Sequence, residues 1–390
     1  MTTPMAAPTR GNATGGAKAQ AAPPPAYPFP VGFYDNEAQD GGTMTLLQTT
    51  APQQFPIYNI TPTGWIRGCW FDFSMKVTAN VANVVSYSGD NPFSGVQKVT
   101  LRDLGQQAII GPIGGYDWEN LDKFGAYQNI ADPRADLTFT AVAGSGSTAG
   151  SHTYSLYLPF ELVQRDALGV AENKSKPGWT VEIWLNSQAA TYNQAPSVMG
   201  TMTIAAFPIS YSTPVSATPS GRSFAPTPPL PGTLQYWRTE NGAMPASSAN
   251  YDLVNGIGFP IRNLIYKYLD TASGTRLGGD AAFGSPVTLQ YGQVIMFAKT
   301  TGRWISEMGR PFGLYNAPDT AFGREYGVFV WHRTQDFDMQ VGAELRQRYL
   351  NTATNTLVRL TNTWGAAGSL NVMCNWVAPV TSSYYSIVQG

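Results

Sequence analysis

The chain has 390 residues, 43% of them hydrophobic and only 13% charged, with 40 Gly and 29 Pro. Soluble domains carry roughly 25% charged residues, so a coiled coil or helical solenoid, built on Glu, Lys and Arg, is excluded. The 10 Trp, 20 Tyr and 18 Phe exclude a chain without a core, and a net charge of −1 offers no positive field for phosphates, so no direct nucleic-acid binding is expected.

Residues 1–40 combine Pro, Ala, Gly, Thr and Gln, with Arg10 and Lys18 as early charges, and cannot build a core alone. They read as an arm, either ordered against a neighbour or a plain tail. No apolar stretch precedes Pro23, Pro24 and Pro25, so no secretory signal is expected. Cys69 and Cys374 lie too far apart for a metal knuckle or redox pair and read as buried, reduced thiols, consistent with cytoplasmic production. The uncharged run Ser187–Gly221 is interrupted by prolines and polar residues, so it does not span a bilayer.

From Ile66 the pattern alternates: Cys69, Phe71, Phe73, Met75 and Val77 point one way, Asp72, Ser74, Lys76 and Thr78 the other, as in a half-buried strand. Further strands are expected at Val96–Leu101, Leu137–Ala141, Thr153–Leu158, Trp179–Leu185 and Thr201–Ile209. One short helix is expected to open at Asp117 as N-cap and stop at Gly125, burying Trp118, Leu121 and Phe124. Another is expected after Pro159, with Leu162, Val163 and Leu168. The Pro-rich stretch Thr213–Gly232 reads as a stiff strap. Beyond it the order repeats. Val96–Leu104 aligns with Ile261–Leu269, Trp118 with Trp304, Tyr154–Leu158 with Tyr326–Val330, Trp179–Leu185 with Thr356–Asn362, and Thr201–Tyr211 with Ser369–Val377. The chain is thus expected to be all-β with short connecting helices and a duplicated domain.

Chemistry is sparse. His152 and His332 have no neighbouring ligands or triad partners. Gly144-Ser145-Gly146-Ser147-Thr148-Ala149 imitates a dinucleotide loop but leads into a strand, where that site needs a helix. Carboxylates cluster at Asp117, Glu119 and Asp122 and at Asp336 and Asp338. Glycoside hydrolysis would need two of them facing one cleft, whereas capping, a solvated helix face and a polar loop explain them without chemistry. Trp65, Trp70, Trp184, Trp237, Trp304, Trp331, Trp364 and Trp376 are scattered, which favours burial in cores and interfaces over a sugar platform. No catalytic, cofactor-binding or metal-binding residue is assigned.

Several stretches resemble the major capsid proteins of tectivirus-like bacteriophages, which enclose a membrane in an icosahedral shell. They are Phe55–Pro62, Gly64–Gly68 with the strand to Asn80, Ile204–Tyr211 running into the strap, Leu253–Asp270 and Tyr326–Arg333. The resemblance covers about Pro52 to Pro379 and is one of layout without a diagnostic motif. It implies a double jelly roll, two tandem eight-stranded jelly rolls, assembled as a trimeric, pseudo-hexameric capsomer. The implied division is an N-terminal arm 1–43, first jelly roll 44–212, linker 213–232, second jelly roll 233–380 and C-terminal tail 381–390. It further implies a virion protein made in the host cytoplasm, with no enzymatic role and no cofactor. Implied partners are its own copies, penton and minor capsid proteins, and the internal membrane through the arm, although Pro23–Pro25, Pro28 and Pro30 break any continuous helix there. Loops Asn129–Gly150 or Thr271–Val287 would supply outward towers, and the arm and Thr381–Gly390 would stitch neighbours. A carbohydrate-binding or carbohydrate-cleaving double β-sandwich, working through Trp304 or Asp336, is the alternative.

Overall fold

The alternation that starts at Ile66 becomes a strand over Gly64–Lys76. Cys69, Phe71, Phe73 and Met75 are at most 1% exposed, while Trp70, Asp72 and Ser74 between them are half-buried. The computed structural model describes residues 35–37, 41–62, 64–76, 86–87, 90, 92–127, 151–162, 169–173, 178–196, 198–211, 233–278, 282–312, 326–334 and 348–379. Val77 and Thr78, the expected strand Leu137–Ala141, the loop Asn129–Gly150, the imitation dinucleotide loop, Asp336, Asp338, the Pro-rich strap and the tail Thr381–Gly390 lie outside them.

The first half contains β1 (Asp35–Glu37), β2 (Thr43–Leu47), β3 (Gln53–Gln54), β4 (Tyr58–Asn59), β5 (Gly64–Lys76), β6 (Ser86–Tyr87), β7 (Val96–Arg102), β8 (Ala108–Ile113), helix α1 (Gly115–Phe124), β9 (His152–Pro159), β10 (Ala171–Asn173), β11 (Thr180–Leu185), the single turn α2 (Gln188–Thr191), β12 (Tyr192–Gln194) and β13 (Thr201–Tyr211). The second contains β14 (Thr233–Met244), β15 (Ser248–Asp252), β16 (Pro260–Asp270), β17 (Val287–Tyr291), β18 (Val294–Lys299), α3 (Thr301–Phe312), β19 (Val328–His332), β20 (Leu350–Asn351), β21 (Val358–Thr363) and β22 (Gly368–Pro379).

Strand pairing gives both halves one topology. One sheet runs β2-β13-β5-β9 in the first half and β14-β22-β16-β19 in the second. The facing sheet places β3 and β4 beside β11, then β7 and β8, against β15-β21-β17-β18. Each half therefore alternates between two antiparallel sheets in jelly-roll order, with one helix between its fifth and sixth strands. The strand β1, which falls in the expected arm, pairs with Ile209–Tyr211 and continues the first strand of its roll.

The repeat is real, but its first sequence block is displaced by one strand. Ile261–Leu269 lies in the third strand of its roll and is equivalent to β5, whereas Val96–Leu104 covers the fourth strand. Trp118 and Trp304 are each the fourth residue of their helices. The two helices make the same clamp. Trp118 Nε1 donates to the Tyr157 carbonyl at 2.8 Å and Asp122 Oδ2 accepts from the Tyr157 amide at 3.0 Å. Trp304 Nε1 donates to the Val330 carbonyl at 2.8 Å and Met308 Sδ accepts from the Val330 amide at 3.1 Å. Side chains four apart stack on one helix face, so each helix grips both backbone groups of one residue on the edge strand of its sheet.

The helix expected to open at Asp117 instead starts at Gly115, behind Gly114 in extended conformation. Asp117 sits in its first turn, where a carboxylate suits the positive helix end. At the other end Gly125 remains right-handed and Ala126 takes the left-handed turn at φ 65°. Gly125 is needed for space, since a Cβ there would lie 2.6 Å from Tyr127 Cε2. No helix forms over residues 160–162, and residues 163–168 are outside the described set.

Candidate functional site

A buried polar assembly lies between the two rolls. Two backbone features bring it there: the Gly125–Ala126 turn folds Tyr127 back over the end of α1, and β14 makes a parallel bridge to β8 at Trp237 and Ile110. Arg262, 1% exposed, reaches from β16 into this seam. Its guanidinium donates to the carbonyls of Gly125 at 2.9 Å and Leu162 at 3.2 Å, and to Tyr127 Oη and Asn375 Oδ1 at 3.3 Å each. Asn263 Nδ2 donates to the Phe124 carbonyl at 2.8 Å. The last carbonyls of a helix have no intrahelical donors and carry partial negative charge, so the second roll supplies both the donors and the positive charge that end α1.

Gln235 completes the assembly. Its Nε2 donates to Tyr127 Oη at 2.7 Å and to the Glu161 carbonyl at 2.9 Å, while its Oε1 accepts from Trp237 Nε1 at 2.9 Å. Around this centre Lys267 is ion-paired with Asp117, Arg276 Nε meets Asp90 Oδ1 at 2.8 Å, and the rings of Phe124 and Phe312 touch edge to face at 4.9 Å. Apart from Gln235–Trp237 and Arg262–Asn375, which lie within the second roll, these contacts cross between rolls, and the apolar core is continuous across them. The seam is built of buried hydrogen bonds and ion pairs.

No protein-family model matches the chain, and no curated protein matches it. Solved structures do. A chain of the Sulfolobus Turreted Icosahedral Virus structure superposes with a TM-score of 0.56 at 13% identity, covering 92% of this chain and 94% of that one. The STIV MCP gives 0.55 at 15%, with 91% and 98% covered, and the PBCV-1 virus capsid 0.53 at 11%, with 88% and 93% covered. The fold is that of viral double jelly-roll capsid proteins.

Within the double jelly roll the residues weighed for chemistry that are described are buried or half-buried. Asp117, Glu119 and Asp122 do not form a solvated helix face: they are 8%, 2% and 0% exposed, with Asp117 in the seam and Asp122 in the clamp. No group of three or more His, Cys, Asp or Glu side chains with metal-binding geometry occurs among the described residues. His152 is buried and its ring lies 5.8 Å from that of Tyr154. Cys69 and Cys374 are free thiols, fully buried, and burial raises the pKa of both, which keeps them protonated. Trp237, Trp304 and Trp364 are at most 2% exposed and Trp65, Trp331 and Trp376 are also buried, while Trp70 and Trp184 are half-buried. Sequence reasoning missed Tyr127, Gln235, Arg262, Asn263 and Asn375. The available signal was Arg262-Asn263 inside the apolar run Ile261–Leu269.

His332, on β19 beside the seam, is pushed down from 6.5 to about 4, first by burial and then by Arg333, Arg262 and Lys299. The folded chain holds it neutral while the unfolded chain protonates it from about pH 6.5 downward. Stability from this group is therefore full above pH 6.5 and is lost as pH falls toward 4. His332→Gln should flatten the dependence of melting temperature on pH in that window, and an identical slope in variant and parent would show that His332 does not contribute.

Proposed function

We propose that this chain is a major capsid protein that self-assembles as trimers, three double jelly rolls presenting six similar blocks, to form the icosahedral shell of a virus with an internal membrane. The observation that carries the proposal is the duplicated roll, matched along nearly its whole length by the STIV and PBCV-1 capsid chains. A trimer of two-roll chains approximates a hexagon, a shape that tiles a closed surface. The role requires buried, self-complementary surfaces between copies.

The proposed organisation is an arm over 1–43, rolls over 44–212 and 233–380, a linker over 213–232 and a tail over 381–390. Location in the virion, contact of the arm with the membrane, and attachment of penton and minor capsid proteins belong to the same proposal. Nothing favours a sugar-directed protein, since Trp304, its expected platform, is 2% exposed.

Electron microscopy and multi-angle light scattering of the purified full chain test the proposal. Particles of three-chain mass with a hexagonal outline are expected. A stable monomer at micromolar concentration would overturn it.

A further inference from the structure

The two rolls bury equivalent surfaces unequally. In the second roll every residue of β16 from Ile261 to Tyr268 is buried, whereas in the first roll β5 keeps Arg67, Trp70, Asp72 and Ser74 half-buried on its outer face. The fifth strands differ in the opposite sense. Ile109 and Ile110 of β8 are 2% and 0% exposed under the second roll, while Val294 and Ile295 of β18 are each 62% exposed. Nine of the ten residues of α1 are buried, but Gly302, Arg303, Ser306 and Glu307 of α3 face out. The uncovered pair of surfaces, the β5 face of the first roll and the β18–α3 side of the second, is thus the counterpart of the pair that already meets in the seam.

The equivalence can be carried to single residues. The clamps equate Tyr157 with Val330, and since Trp70 pairs with Tyr157 and Ile265 with Val330, Trp70 corresponds to Ile265. A second contact agrees. The Phe160 amide donates to the Arg67 carbonyl at 2.9 Å, and the Arg333 amide to the Arg262 carbonyl at 3.0 Å, each three residues further along both strands. Asp72 therefore corresponds to Lys267, and Arg303, preceding Trp304, corresponds to Asp117, preceding Trp118. In the seam Lys267 and Asp117 form an ion pair whose side chains are 9% and 11% exposed. At the uncovered counterparts both signs are exchanged: aspartate replaces lysine and arginine replaces aspartate.

We propose that the β18–α3 side of one chain docks on the outer β5 face of a second copy, with Arg303 of the first paired to Asp72 of the second. The inference deepens the self-assembly proposal and rests on it. A second copy is the occupant because each uncovered surface is half of a contact the chain already makes within itself, and because the exchanged charges remain complementary. Lys299, Arg303, Glu307 and Arg333 line an open groove of about 570 Å³ on the docking side, three cations to one carboxylate. Glu307 holds Lys299 at 2.6 Å and Arg303 Nε at 2.7 Å, so Asp72 of the second copy would share Arg303 with Glu307. The contact is head-to-tail, so it closes only as a ring.

Reversing either charge places like charges in apposition. Asp72→Arg and Arg303→Asp in the full chain should each weaken association roughly 10- to 100-fold by sedimentation equilibrium, and the double variant should restore most of the loss. Circular dichroism guards against misfolding. As a second measurement, Arg303→Lys mixed with isotope-labelled parent should give a carbodiimide cross-link between the introduced amine and Asp72 of the other copy. An assembling parent with no rescue in the double variant and no such cross-link overturns this interface while leaving self-assembly standing. A parent that stays monomeric overturns both.

Discussion

Replacing Arg262 with leucine should destabilise the chain by about 3–5 kcal/mol, because buried acceptors left without a donor cost about 1–3 kcal/mol each. The Gly125 carbonyl and Asn375 Oδ1 lose the guanidinium outright, while the Leu162 carbonyl keeps Tyr127 Oη and Tyr127 Oη keeps Gln235 Nε2. Leucine fills part of the volume but supplies no hydrogen. Lysine should recover little, since one ammonium cannot reproduce a planar fork aimed at four acceptors. The effect should reach beyond one roll. The lost donors come from β16 and the acceptors include the end of α1, so urea unfolding followed by tryptophan fluorescence should separate into two transitions where the parent shows one. A variant within 1 kcal/mol of the parent, with an unchanged transition, would mean that the apolar contacts alone hold the rolls together.

Polar seams are costly to bury and cheap to get wrong, which makes them selective. Here the donors are fixed by strand register: Arg262 and Asn263 follow one another on β16 and meet the carbonyls of Gly125 and Phe124 at the end of one helix. A slip of one residue between β16 and α1 would leave several of these groups unpaired at once. An apolar seam would tolerate such a slip. Orientation between rolls is thus set by hydrogen bonds and strengthened by the Phe124–Phe312 contact.

How far the sequence revealed this depended on whether one face of an element meets solvent. The strand β5 was legible because Trp70, Asp72 and Ser74 stay half-buried, leaving a two-residue period. The strand β16 has no such period, since both of its faces are covered, and its apolar places could be matched to the wrong strand. The same coverage explains the carboxylates. Asp117, Glu119 and Asp122 look like a solvated face on an isolated helix, but the second roll covers Asp117 and the edge strand β9 takes Asp122. The seam itself joins residues more than 100 positions apart, such as Tyr127 with Gln235 and Arg262, and no local pattern connects them. The helix stop at Gly125 was legible, though Ala126 takes the left-handed turn and Gly125 is required for space beside Leu121 and Tyr127.

Truncating either clamp tryptophan should be about as damaging as breaking the seam, and the two truncations should resemble each other. Trp118 is fully buried, packs edge-on against Phe71 and Phe73 at 5.4 and 5.7 Å, and holds the Tyr157 carbonyl. Trp304 is 2% exposed, lies 5.1 Å from Phe297 and 5.5 Å from Phe329, and holds the Val330 carbonyl. Trp→Ala in a core costs about 3–5 kcal/mol through lost contacts and the cavity left behind, and each change also orphans an edge-strand carbonyl. Phenylalanine separates the two contributions: it keeps most of the ring contacts but no donor, so Trp118→Phe and Trp304→Phe should each cost about 1–3 kcal/mol. Urea titration of the four variants measures this directly. Equal losses for alanine and phenylalanine would place the whole effect in the hydrogen bond, and a loss below 1 kcal/mol for either alanine variant would show that the helix is not what pins that edge of the sheet. The indole should matter alike in both rolls even though its partner on the helix differs. The amide of the clamped residue is taken by a carboxylate in one roll and a thioether in the other, so the tryptophan is the part of the clamp the two rolls share.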